Sequence, residues 1–250
     1  MTTIRSMSQL KPWLDVMAMG ALGLLMLKLW LTGQLYLLIH PNYIWMAISS
    51  GFVLISLSIL EGRRVSQQRR YVDAEQHFTL MMPLLSSSLL LFVAIAGLLI
   101  TPRPFASDTA LHRGVMDSLS MIRNKPESFR SHSKPEDRSL IEWKRTIDVY
   151  PEPDAYTGQK VKLQGFVVHA SNLPDNFFMI SRFVITCCAA DVYPVGLPVK
   201  LTQSRSAYPP DKWLEIEGKV ITETIDGKRQ LAIQPDKLTP IPEPKNPYDY

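Results

Sequence analysis

A chain of 250 residues has room for one or two domains. Its formal net charge of +4 is unevenly spread: residues 1–139 hold 14 Lys and Arg against 9 Asp and Glu, whereas residues 140–250 hold 13 against 14. The C-terminal part therefore lacks the positive field of a nucleic-acid binder. Nearly all long apolar runs lie before residue 101, which excludes a uniformly soluble protein.

Three segments predict transmembrane helices, each with about 20 mostly apolar residues. They run from Trp13 to Thr32, from Tyr43 to Leu60 and from Leu80 to Ile100. Trp13, Trp30, Tyr43 and Trp45 sit near their ends, where interfacial aromatic belts form. A cleaved signal peptide fits the first segment poorly, because the run is too long and no A-x-A-type site follows. Lys28 interrupts this segment. It is either a functional membrane-embedded charge or a lysine that snorkels to the headgroups; a helix continuing through Leu35–Ile39 would place it deeper. His40-Pro41 marks a turn, with His40 read as an interfacial residue in preference to a ligand.

Short basic loops stay in the cytoplasm. Arg5 and Lys11 precede the first segment, the connection 33–42 has no Lys or Arg, and the second connection carries Arg63, Arg64, Arg69 and Arg70. This predicts a multi-pass protein of the inner membrane with a cytoplasmic N-terminus and an extracytoplasmic C-terminal domain.

Thr101-Pro102-Arg103-Pro104 ends the third helix, and residues 101–139 read as a polar linker. Within it, Ala110 to Ile122 carries a weak amphipathic pattern suited to the membrane surface. The globular domain occupies residues 140–240 and opens with a helix over Leu140–Val149. Strands follow at Lys160–His169, Phe177–Cys188, Leu197–Thr202, Trp213–Thr224 and Gln230–Ile233. Val161, Leu163, Gly165 and Val167 share one face, and Gly165 marks a bulge or bend. Asp226-Gly227 signals a two-residue hairpin. Five short strands in about 100 residues predict an all-β small barrel of the OB type, with a generic β-sandwich as the alternative. The tail, residues 241–250, is Pro-rich and expected to lie extended over the surface.

Only two cysteines are present, and they are adjacent, in Phe183-Val184-Ile185-Thr186-Cys187-Cys188-Ala189-Ala190-Asp191. Consecutive Cα atoms lie about 3.8 Å apart, closer than the usual disulfide range of roughly 4.4–6.8 Å. Three readings stay open: a soft-metal site, a strained redox pair, or two small packing residues. In a regular strand Cys187 enters the core and Cys188 faces out; a site using both sulfurs needs the strand to end or bulge. Asp191 and His169 are the further ligand candidates, and thiolate with imidazole suits zinc or copper(I). No C-x-x-C or H-x-x-x-H spacing supports a metal, and the cofactor stays unknown. No G-x-S-x-G, H-E-x-x-H or P-loop pattern occurs, so the chain is expected to be non-enzymatic. Glu215, Glu217 and Glu223 read as a solvated strand face, and Phe177-Phe178 as core in preference to a base-stacking pair.

Several runs together resemble the bacterial YcgQ-like family. They are Val149-Tyr150-Pro151-Glu152-Pro153-Asp154, Tyr156-Thr157-Gly158-Gln159-Lys160, Gly165-Phe166-Val167, Phe177-Phe178, Arg182 through Asp191, and Pro194-Val195-Gly196-Leu197. Trp213, Gly218, Pro247-Tyr248 and the early Tyr36…His40-Pro41 fit as well. The likeness covers most of the chain, and its most specific part is R-F-V-I-T-C-C-A-A-D. The resemblance implies a small subunit of a two-component permease, partnered by a multi-span membrane permease similar to those linked with metalloid or organoarsenical efflux. It implies Arg182, Cys187, Cys188 and Asp191 as motif positions and transfers no catalytic residue. A membrane-anchored thiol-redox protein or sensor, and a structural OB-like interaction module, are the competing readings.

Overall fold

The computed structural model describes residues 2–67, 83–115 and 134–250, and it divides into two compact units, residues 1–103 and 104–250.

The first unit is helical: α1 (Thr2–Leu31), α2 (Ile44–Ser66) and α3 (Pro83–Leu99). Among the described residues, two stretches, Leu10–Leu31 and Pro41–Ser66, are long and apolar enough to cross a membrane, which is compatible with insertion. The third expected segment appears as the 17-residue α3, whose Leu85–Leu99 stretch is shorter than a span; residues 80–82 lie outside the described residues. Phe52, Trp45 and Phe92 expose their side chains on this unit, as lipid-facing residues do.

Helix α1 stops because Gly33 adopts φ 72°, the left-handed conformation that closes many helices. The helix therefore does not continue through Leu35–Ile39; a separate 3₁₀ turn covers Gln34–Leu37. A second turn follows at Pro41–Tyr43, where His40 accepts a hydrogen bond at Nδ1 from the Asn42 N–H at 3.2 Å. Helices α1 and α2 approach closely at small residues. A Cβ on Gly23 would stand 2.9 Å from the Gly51 carbonyl oxygen and 2.7 Å from Ile55. Ser58 Oγ adds a hydrogen bond to the Val16 carbonyl, 2.8 Å long.

In the second unit, residues 104–115 are not free linker. They include α4 (Ser107–His112), and Ala110 and Val115 are buried. The Ser107 N–H donates to Asp211 Oδ1 at 2.6 Å. The amphipathic helix expected over 110–122 thus starts earlier as a single short turn-length helix; residues 116–122 lie outside the described residues.

Helix α5 (Leu140–Val149) has the predicted bounds. Its start is fixed by a capping box: Ser139 Oγ accepts from the Glu142 N–H, and the Glu142 carboxylate accepts from the Ser139 N–H at 2.8 Å. Leu140, Ile141 and Trp143 are buried.

Among the described residues, six strands form one sheet: β1 (Lys160–Val168), β2 (Phe177–Val184), β3 (Tyr193–Lys200), β4 (Trp213–Ile225), β5 (Lys228–Pro240) and β6 (Tyr248–Asp249). Their order is β1-β4-β5-β3-β2-β6, with a further β1–β2 pairing. β1 pairs with β4 from Lys160↔Lys219 to Phe166↔Trp213, and with β2 only from Phe166↔Ser181 onward. Gly165 sits at this change of partner, where a Cβ would lie 2.5 Å from the Ser181 carbonyl oxygen. The expected bend residue is thus a site of close backbone approach. Leu163, Phe178, Ile180, Val195, Leu214 and Ile233 fill the core, each contributing about 1.5–3 kcal/mol by burial.

Three strand boundaries differ markedly from the sequence reading. β2 ends at Val184, not Cys188, because the chain turns into a braced loop. β3 begins at Tyr193, not Leu197; its Pro194 and Pro198 are tolerated because it pairs fully with β2 but with β5 only at Val199↔Ile233. β5 extends to Pro240, and it keeps pairing past Pro235 through a register shift opposite Glu217/Gly218. The Asp226-Gly227 hairpin is as predicted, with positive φ at both residues. The tail does not simply lie over the surface: Tyr248–Asp249 pairs in parallel with β2, and Tyr248 is buried.

Candidate functional site

The motif run spans the end of β2 and the loop that leads into β3. β2 and β3 stay paired down to Val184↔Tyr193, so residues 185–192 are a hairpin connection. Its shape is set by one carboxylate. Asp191 Oδ2 accepts from Thr186 Oγ1 at 2.6 Å, and Oδ1 accepts from the Thr186 and Cys188 N–H groups at 3.4 and 3.3 Å. The Asp191 N–H returns a bond to the Cys188 carbonyl at 3.0 Å. Partial desolvation pushes this carboxyl up, but the hydrogen bonds from Thr186 and the loop N–H groups outweigh it and hold it below the ordinary range.

The brace ends the strand before the cysteines, so the expected inward Cys187 is instead exposed, and Cys188 is half-buried. Neither is in a disulfide. Desolvation against the loop, then the neighbouring Cys188 and Asp191, push the Cys187 thiol up from its ordinary value. Such a thiol is a weak nucleophile at neutral pH. It remains a soft ligand that gives up its proton when a cation binds.

His169 is committed elsewhere. It follows β1, and its Nε2 donates to the Tyr208 carbonyl at 2.8 Å. Among the described residues, no three His, Cys, Asp or Glu side chains stand close enough to hold a metal ion. The structure therefore brings Cys187, Cys188 and Asp191 into one loop, spends Asp191 on that loop, and ties His169 to a different one.

Arg182 has a structural task. Its guanidinium pairs with Asp249 at 3.2 Å, donates to the Asn246 carbonyl at 3.2 Å and lies over the Trp213 ring. It clamps the tail, and the Ile185 N–H adds a bond to the Asp249 carbonyl at 3.2 Å. Tyr248 then completes an aromatic cluster with Phe105 and Phe183.

Lys28 also finds a protein partner: Nζ donates to the Leu98 carbonyl at 2.6 Å, near the C-terminus of α3. A cation there satisfies an end carbonyl and complements the helix dipole. The acids Glu215 and Glu217 flank Lys162 at 3.3 and 2.8 Å, and Glu223 pairs with Lys200 at 2.6 Å, so all three are cross-strand ion-pair partners. Phe177 and Phe178 are core.

Two polar features were missed from sequence. Asp15, inside the first apolar stretch, accepts a hydrogen bond from Ser87 of α3; an acid inside a predicted span was the available signal. Lys144 and Asp148, four apart on α5, form an ion pair of 3.4 Å with Lys144 buried. Their spacing from Leu140 placed Lys144 on the apolar face.

A search of curated proteins gives no match. Family models do match: the DUF1980 N-terminal domain over residues 14–116 and the DUF1980 C-terminal domain over residues 136–250. With both halves recognised in order, the chain belongs to the DUF1980 family.

Proposed function

We propose that the chain is a non-enzymatic accessory subunit of a two-component membrane permease and that its thiol loop handles a soft metal or metalloid ion. In this reading three helices, α3 included, anchor it beside a multi-span permease. The N-terminus is cytoplasmic, and the second unit is an extracytoplasmic OB-like barrel. The strand order supports the barrel, because β1 pairs with β4 on one edge and β2 on the other.

The observation that carries the reading is the loop itself. Two adjacent unbridged thiols stand at a hairpin end, one of them exposed, on a turn that Asp191 pre-forms. A raised Cys187 thiol is a slow partner in disulfide exchange at neutral pH, and ion capture at this loop would release its proton. The loop supplies two sulfurs, so a tetrahedral zinc or a lower-coordinate copper(I) would complete its shell with water, ion-borne groups or the permease.

The test is purification of the full chain in mild detergent under reducing conditions, without chelator, from its native membrane. A Cys187→Ser/Cys188→Ser variant is prepared in parallel. Copurification of a multi-span partner, with near-stoichiometric zinc or copper that vanishes in the variant, supports the proposal. A partnerless chain overturns the subunit role, and metal content equal in both proteins overturns the thiol site.

A further inference from the structure

We infer that the cleft beneath α5 binds a small amphiphilic anion through the Lys144 ammonium. This site lies apart from the thiol loop and does not depend on its reading. It originates in the sheet. β3 and β5 pair at a single position, Val199↔Ile233, so Gly196–Pro198 and Arg229–Leu231 face each other across a gap. Helix α5 closes one side with Lys144, Ile147 and Asp148. The cavity is about 330 Å³, at the low end of small-ligand sites, roughly 300–1,000 Å³. Met179, Leu197 and Leu231 give it an apolar wall.

Lys144 is the unusual member. It is 5% exposed, yet an ammonium has three donors. Its partner among the described residues is Asp148, at 3.4 Å. Charge-assisted bonds run to about 2.7–2.9 Å, so this desolvated cation is held by a long contact and has donors to spare for a closer acceptor. Burial pulls Lys144 down and pushes Asp148 up from their ordinary values, in each case against the attraction of the other. The other cation at the cleft, Arg229, is already held by both carboxylate oxygens of Asp154 at 2.6 and 2.7 Å. A ligand acceptor is therefore best received by Lys144, in competition with Asp148, while an apolar body lies along Leu197 and Leu231. A carboxylate on a short aliphatic chain has this chemistry.

The test is equilibrium dialysis of radiolabelled hexanoate against the full chain in phosphatidylcholine nanodiscs, with empty nanodiscs as background. Hexanol and hexylammonium serve as competitors. The expected result is saturable binding that neither competitor displaces, at least ten-fold weaker in Lys144→Met. Asp148→Asn removes the competing carboxylate and is expected to bind several-fold tighter; it also decides the matter should Lys144→Met fail to fold. Uptake no greater than empty nanodiscs, wild-type affinity in Lys144→Met, or weaker binding in Asp148→Asn overturns the inference.

Discussion

Arg182→Met should release the C-terminal tail from the domain before the domain itself unfolds. The Arg182 and Asp249 side chains are 17% and 13% exposed. Removing one partner of a buried pair costs about 3–5 kcal/mol, mostly because the other charge is left uncompensated. The residual exposure points to the lower end, about 3 kcal/mol. Burying the Tyr248 ring contributes a comparable amount, about 1.5–3 kcal/mol for a large apolar side chain, so the loss is enough to open the strand β6 locally. Burial already pushes the Asp249 carboxyl up, against the pull of Arg182; removing Arg182 pushes it further. A carboxyl raised in the folded state favours folding below its unfolded value and loses that contribution as pH rises through the folded value. The variant should therefore dock its tail better near pH 5 than near pH 8. Hydrogen exchange by mass spectrometry reads this directly, since the Ile185 N–H is protected by the Asp249 carbonyl. Protection factors at Ile185 and in residues 246–250 should fall in Arg182→Met relative to wild type at the same pH. They should recover in Arg182→Met/Asp249→Asn, which leaves no unpaired charge. Equal loss in the single and double variants, with no pH dependence, would refute the clamp.

Two other perturbations test the fold and the loop. Gly165→Ala places a methyl 2.5 Å from the Ser181 carbonyl and 3.0 Å from Ile180; because the obstacle is backbone, the loss in urea unfolding should reach the upper end of about 1–3 kcal/mol. A neutral outcome would mean that β1 and β2 separate freely there. Asp191 is depressed in the folded state, so its stabilisation is complete above roughly pH 4 and disappears as pH falls through the lower folded value. Calorimetry should show wild type melting above Asp191→Asn at pH 7, with the two converging under acid; a constant gap would show that the brace is not ionic.

Local signals were legible in the sequence. Asp226-Gly227 marked the β4–β5 turn, and the shared face of Val161, Leu163, Gly165 and Val167 is the buried face of β1. What escaped was set by long-range partners. β3 starts earlier than the apolar run at Leu197, because its full pairing with β2 carries Tyr193 to Gly196 into the sheet. β6 has two residues and no period to detect; it forms because Arg182, over 60 positions earlier, waits for Asp249. Lys28 was weighed only against lipid, whereas its partner is a carbonyl 70 residues away.

The same distinction separates the parts of Arg182-Phe183-Val184-Ile185-Thr186-Cys187-Cys188-Ala189-Ala190-Asp191. As a string, every polar residue in it is a candidate ligand. In the structure Arg182 holds the tail, Phe183 joins the aromatic cluster, Val184 and Ile185 are buried, and Thr186 and Asp191 hold the loop to itself. Each of these positions is accounted for by folding. The Cys188 backbone joins the same brace, with its N–H and carbonyl both bonded to Asp191. Packing alone would not need an exposed thiol on a braced turn, since an exposed Cys187 contributes little burial. The proposed reading places function on the two sulfur atoms; what the fold shows is that Asp191 holds the loop that carries them and that Arg182 belongs to the scaffold.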